Sequence, residues 1–191
     1  MSDHPENRKP MTAGERASDR NEAPPARRSF FIELLHQAGL MSAPGCFRDY
    51  RFLLAIFASM VVLWLIHDAL PPFSKDFEFH WKFWLALVIW QPIIEELLFR
   101  GILQGQLVRT SWGKRSWLHI SAANLVASVL FVGLHMIKNP PLFAAAVFVP
   151  SLLFGYFRDR CNSVYPSILL HAAFNALVID GLLIHGNMIM P

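Results

Sequence analysis

Charge is what this 191-residue sequence has least of. Asp, Glu, Lys and Arg together make up 16%, against about 25% in an ordinary soluble domain, so water is not the solvent that most of the chain is built for. Only two cysteines occur, Cys46 and Cys161. That is too few for a disulfide framework, and no CxxC or Cys/His spacing suggests structural zinc. No internal repeat is present, and no low-complexity segment beyond the N-terminal tail. The formal net charge is only +3, with the basic excess concentrated near the N-terminus, so nucleic acid is not an indicated partner. A soluble enzyme, a secreted disulfide scaffold and a nucleic-acid binder are thereby set aside.

What is there is apolar: 54% hydrophobic and 13% aromatic residues, in a length that fits one domain. Residues 1–29 are the exception. Pro5, Pro10, Pro24 and Pro25 stand among charged and small polar side chains, and such a stretch cannot bury enough surface to offset its ordering entropy, so it reads as a disordered cytoplasmic tail. No apolar h-region follows the initiating methionine, so it is not a signal peptide. Residues 30–51 open with Phe30-Phe31-Ile32-Glu33-Leu34-Leu35-His36. This is too short to span a membrane and reads either as an interfacial amphipathic segment or as a loosely packed pre-helix.

Five long apolar segments follow, at about 52–70, 83–105, 117–137, 141–157 and 164–184. About 20 apolar residues cross ~30 Å of hydrocarbon, and open backbone cannot face lipid. The expected fold class is therefore all-α, a polytopic transmembrane helical bundle of about five spans. With the N-terminus inside, 13 basic side chains fall on the inner side and 3 on the outer, and none follows Arg160. The positive-inside rule then puts the N-terminus in the cytoplasm and the C-terminus outside. Both cysteines lie on the inner, reducing side, where free thiols are expected.

Ionisable groups inside hydrocarbon are expensive and read as functional. The second segment carries Glu95-Glu96-Leu97-Leu98-Phe99-Arg100. Glu96 and Arg100 are four apart and can pair, either locking helix packing or orienting a site. Glu95 lies about 100° around the helix from Glu96, so one carboxylate can be neutralised while the other faces a cavity as a general base. The third segment ends Phe131-Val132-Gly133-Leu134-His135, and the fifth contains His171-Ala172-Ala173-Phe174-Asn175. Alone, His135 reads as a satisfied core histidine and the His171/Asn175 pair as polar glue between helices. Together Glu95, His135, His171 and Asn175 come from three spans and supply a base, a water ligand and two oxyanion donors.

Other polar residues take structural readings. Pro92 frees a backbone carbonyl and is expected to kink its helix beside the site. Gly101 and Gly105 make a small-xxx-small face for close packing. Asn124 reads as an interhelical hydrogen bond, His67 and Asp68 as span-end groups, and Asp180 as a supporting residue behind Asn175. Counting ~1.5 Å per residue puts Glu95 ~18 Å deep and His135 only ~6 Å. Tilt, the Pro92 kink or a shifted boundary has to bring them together.

At these residues the sequence resembles the CPBP family of intramembrane proteases, which includes the CAAX prenyl endopeptidases of the Rce1 type and abortive-infection proteins. The family pattern EExxxR, FxxxH, HxxxN is met in order by Glu95-Glu96 with Arg100, Phe131 with His135, and His171 with Asn175. The resemblance implies peptide-bond hydrolysis at a membrane-embedded site without a cofactor. In it Glu95 activates a water also held by His135, His171 and Asn175 stabilise the oxyanion, and Glu96 and Arg100 orient. An alternative mechanism within the family would place zinc on Glu95, His135 and His171. The implied partners are the lipid bilayer and a membrane-anchored protein or peptide substrate. The short chain resembles sorting proteases of the JDVT-CTERM type, which cut C-terminal anchoring segments in a bacterial inner membrane.

Serine or aspartyl intramembrane catalysis would need GxSG or GxGD, and neither string occurs. A transporter would be expected to show inverted repeats. A non-enzymatic immunity or scaffold protein binding a partner's transmembrane helix is the remaining alternative.

Overall fold

The computed structural model describes residues 30–41, 43–66 and 80–188. The expected tail at 1–29, and His67 and Asp68, lie outside the described residues, as do the side chains of Asp180 and His185. Two units divide the chain, residues 1–33 and 34–191, and every tertiary contact described below lies within the second.

Among the described residues the architecture is almost entirely helical. Helix α1 covers Phe30–Gln37, α2 Pro44–Phe47 and α3 Tyr50–Ile66. From Trp81 to Leu107 the chain is one unbroken composite helix: α4 (Trp81–Leu85), a π-helical stretch (Ala86–Trp90), α5 (Gln91–Glu96), a second π-helical stretch (Leu97–Gln104) and α6 (Gly105–Leu107). A two-stranded antiparallel ribbon follows, β1 (Ser116–Trp117) with β2 (Ile120–Ser121). Then come α7 (Ala122–Met136), α8 (Pro141–Ala146), α9 (Phe148–Cys161) and α10 (Tyr165–Met188).

The segment boundaries move most in three places. The third apolar segment begins as a helix only at Ala122, because residues 116–121 turn back on themselves and Ser121 caps α7 by accepting the Asn124 backbone N–H. The fourth runs on to Cys161, where Asn162 in the left-handed conformation ends it (φ 47°); Asn tolerates that conformation better than most residues. The fifth extends to Met188. Among the described residues one helical stretch, α8 running on into α9 (Pro141–Cys161, mean hydropathy 1.5), is long and apolar enough to cross a membrane by itself.

The distribution of polarity is inverted relative to a soluble protein. Glu96, Arg100, Gln104, Asn124, Ser128, Ser151, Ser163 and Ser167 are all 0% exposed, while Trp64, Phe57, Trp90, Val149 and Leu142 are mostly exposed. Helix α9 is the hub, packed against α7, α10 and the second π-helical stretch. Its backbone carbonyls are read by side chains from three other elements. Arg100 Nη2 donates to Ser151 O (2.8 Å), Asn124 Nδ2 to Leu152 O (2.9 Å), Ser167 Oγ to Phe154 O (2.8 Å) and Gln104 Nε2 to Gly155 O (2.9 Å). Each such bond between membrane helices contributes about 0.6 kcal/mol. Gly155 is required here, because a methyl at that position would overlap the Asn124 carboxamide. Asn124 thus does what its sequence position suggests.

Two local expectations are corrected. Gly101 and Gly105 admit not another spanning helix but the chain leaving α1: a Cβ at Gly105 would stand 2.7 Å from Gln37 O, and one at Gly101 3.1 Å from Ala38 O. Arg158 Nη2 also donates to Gln37 O (3.4 Å), and Val164 N to Gly39 O (2.9 Å). The C-terminal end of α1 is therefore seated in the bundle. The thiols expected to be free are paired, Cys46 with Cys161, at a Cα separation of 5.9 Å. Helix α2 and the last turn of α9 meet there, in a cluster with Phe52, Phe154, Phe157 and Leu170, and that separation is in the range a disulfide spans.

Candidate active site

Pro92 sets the local geometry. A π-helical turn bonds each N–H five residues back, as Gln91 N–H does to Ala86 O; the next such bond would run from residue 92 to Leu87 O. Proline has no N–H to give. The carbonyl left over is taken by Asn175 of α10, whose Nδ2 donates to Leu87 O at 2.8 Å. One of the two amide hydrogens of Asn175 is thus used to tie α10 to the helix bearing the carboxylates. π-Helical segments of this kind concentrate at functional sites.

Four residues after Gln91, on the same face, stands Glu95. Gln91 Nε2 donates to Glu95 Oε1 (2.8 Å), while Glu95 Oε2 is buried without a hydrogen-bond partner. Glu96 is wholly enclosed. Its Oε1 accepts from Arg100 Nη1 (3.0 Å) and from His171 Nδ1 (2.9 Å). Arg100 is anchored from the other side by Ser151, whose hydroxyl accepts from Nη2 at 2.7 Å in addition to the backbone carbonyl. Its guanidinium lies over the rings of Phe131 (4.7 Å) and Phe154 (5.6 Å). Cation–π attraction of this sort gains strength when desolvated.

The Glu96 carboxylate requires a proton on His171 Nδ1. His171 Nε2 is then directed to Glu95 Oε2, 3.7 Å away, too far for a direct hydrogen bond. The ring stacks on Phe154 (5.0 Å, 18°), which fixes its plane. His135 does not touch either carboxylate. Its Nδ1 donates to Phe131 O (3.0 Å), leaving Nε2 with a lone pair. It joins the site through the Phe131 ring, which packs 4.5 Å from His135 and 5.8 Å from His171.

The structure therefore brings Glu95, Glu96, Arg100 and His171 into one bonded or facing set, ties Asn175 to the same helix through Leu87 O and places His135 on the rim. Sequence reasoning missed three members. Gln91 was visible as a polar residue four before Glu95 in an apolar segment. Ser151 and Phe154 carry no local signal, because they come from α9 and only packing brings them to Arg100 and His171. Among the described residues no three His, Cys, Asp or Glu side chains are gathered closely enough to hold a metal ion. The zinc set of Glu95, His135 and His171 is thus not assembled in this arrangement.

A bundle with its charged and amide groups inside and its apolar surface outside is the architecture of a membrane protein with an intramembrane site. The family model for Rce1-like proteins, described as type II CAAX prenyl endopeptidase, matches residues 77–177. That is more than half of the chain, and the chain belongs to this family. It is accordingly a CAAX-type membrane protease, a hydrolase. No match was found among curated proteins or among solved structures.

Proposed function

We propose that this chain is an intramembrane endopeptidase that hydrolyses a peptide bond near the C-terminal anchoring or sorting segment of membrane-associated proteins, with a glutamate-activated water and no metal. The observation that carries the mechanism is the unpartnered Glu95 Oε2 facing His171 Nε2 at 3.7 Å. One water can touch both atoms across that gap. The family pattern makes His135, on the rim of the site beside the Phe131 ring, the third group expected to hold it.

Glu95 removes a proton from the water as its oxygen attacks the substrate carbonyl carbon. The C=O π electrons move onto oxygen, giving a tetrahedral oxyanion. His171 donates to that oxyanion from Nε2 while its Nδ1 is held by the Glu96 carboxylate. The second amide hydrogen of Asn175, the one not given to Leu87 O, is the other donor. Collapse of the oxyanion breaks the C–N bond, and Glu95 returns its proton to the leaving amine. Donors held in place in a dry site are where such charge stabilisation is worth most.

The bias of basic residues supports an N-terminus in the cytoplasm and a C-terminus outside, and the likeness to sorting proteases is what suggests a bacterial inner membrane. Co-expression with candidate substrates tagged after their anchoring segment tests the function. Wild type is expected to release the tag from at least one of them and Glu95→Gln from none. Equal release by both forms would contradict the glutamate mechanism.

A further inference from the structure

We propose that the end of the bundle opposite the catalytic chemistry carries a built site for the headgroup of an anionic phospholipid. A cleft of about 430 Å³ opens between the start of α3, the ribbon and the end of α9, where Arg51, Lys114, His119, Tyr156 and Arg160 are among its lining residues. Both acids near the cleft have a cation beside them: Asp49 pairs with Arg160 (2.6 Å), and Asp159 accepts from Ser121 at Oδ2 (2.6 Å) while its Oδ1, which has no hydrogen-bond partner, lies 3.7 Å from Arg158. Arg51 bonds two phenol oxygens, Tyr50 (3.2 Å) and Tyr156 (3.3 Å). Among the described residues, neither Arg51 nor Lys114 has a side-chain ion pair with a carboxylate, so two cations face the cleft with charge to offer.

The ribbon at the cleft edge supplies the second observation. Its two turn residues, Leu118 (φ 48°) and His119 (φ 66°), both take the left-handed conformation, where Asn-Gly would be the ordinary choice. Strain of this kind is kept where it serves a purpose. Here it holds Trp117 and Leu118 outward, 79% and 71% exposed, beside His119 and Lys114. An apolar pair next to a cationic cleft fits a ligand with a phosphate at one end and acyl chains at the other, and Trp favours the depth of lipid headgroups. The positive-inside bias turns this end toward the cytoplasmic leaflet, where anionic lipids attract Lys and Arg.

The test uses the full chain in neutral detergent, with phosphatidylglycerol or phosphatidylcholine of identical acyl chains, read by native mass spectrometry. One phosphatidylglycerol is expected to be retained in preference to phosphatidylcholine. Removing both cations in Arg51→Gln/Lys114→Gln is expected to weaken it about 30-fold, with phosphatidylcholine binding unchanged. Lys114→Gln alone, which disturbs no described hydrogen bond, is expected to weaken it about fivefold and keeps the test valid if the double variant fails to fold. Excess inorganic phosphate is expected to leave the lipid bound, because Trp117 and Leu118 hold the chains. Equal retention of the two lipids, unchanged binding by Lys114→Gln, or displacement by inorganic phosphate or by an acidic peptide would each overturn the proposal.

Discussion

Glu96 and His171, 75 positions apart in the chain, share a 2.9 Å hydrogen bond from Nδ1 to Oε1 in the dry centre of the bundle. The same oxygen takes Arg100 Nη1 at 3.0 Å, so one carboxylate neutralises a guanidinium and fixes an imidazole at once. Glu96→Gln should therefore lower turnover about 100-fold or more by loosening the hold on the His171 ring. Arg100→Ala should cost about 3–5 kcal/mol of stability, because it strands a buried charge. Turnover in detergent and denaturant titration measure the two separately. A fully active Glu96→Gln would mean that His171 needs no counter-charge.

Asn175 and Pro92 should be energetically coupled through the Leu87 carbonyl. Asn175→Ala leaves that carbonyl without its donor, whereas Pro92→Ala restores a backbone N–H that can serve it. The stability cost of Asn175→Ala is expected to be about 1 kcal/mol smaller in the Pro92→Ala background. Strict additivity in a double-mutant cycle would show that the amide serves only the reaction.

Cys46 and Cys161 enclose a long loop, with a sequence separation of 115. Closing a loop of that length restricts the unfolded chain, so reduction or Cys46→Ser should cost about 2–5 kcal/mol. Maleimide labelling of the purified protein should find no reactive thiol before reduction and two afterwards. Two reactive thiols in the untreated protein would contradict the pairing.

Gly155 is the point at which α7 and α9 come closest to excluding a side chain. Gly155→Ala should push the Asn124 carboxamide from Leu152 O and destabilise the fold by about 1–3 kcal/mol, as overpacking does. Gly133→Ala, on an open face with nothing near its added methyl, should not destabilise and serves as the control.

The polar groups of the apolar segments were legible in the sequence because their surroundings make them conspicuous: Glu95, Glu96, Arg100, His171 and Asn175 stand out from any apolar run. The Glu96–Arg100 pair follows from i, i+4 spacing alone. What could not be read was which partner each would find across the bundle. Asn175 reads as an oxyanion donor, yet its hydrogen bond goes to a carbonyl whose orphaning depends on a π-helical register that no local pattern announces. Ser151 and Phe154 acquire their roles from α9 packing. The disulfide was missed because charge bias located the two cysteines on one side of the membrane, and compartment argues for thiols where proximity argues for a bond. The ribbon at 116–121 was absorbed into an apolar run because Trp117, Leu118 and Ile120 are as hydrophobic as a span.

The most direct test of the central claim compares wild type with Glu95→Gln on one membrane-anchored substrate, with folding checked by protein accumulation in the membrane. Glutamine keeps the volume and can still bond Gln91, so the account predicts a folded protein that accumulates normally and cleaves at least 100-fold more slowly. A chelator should leave wild-type cleavage unchanged. Wild-type rates from Glu95→Gln would contradict the assignment of Glu95 as the base.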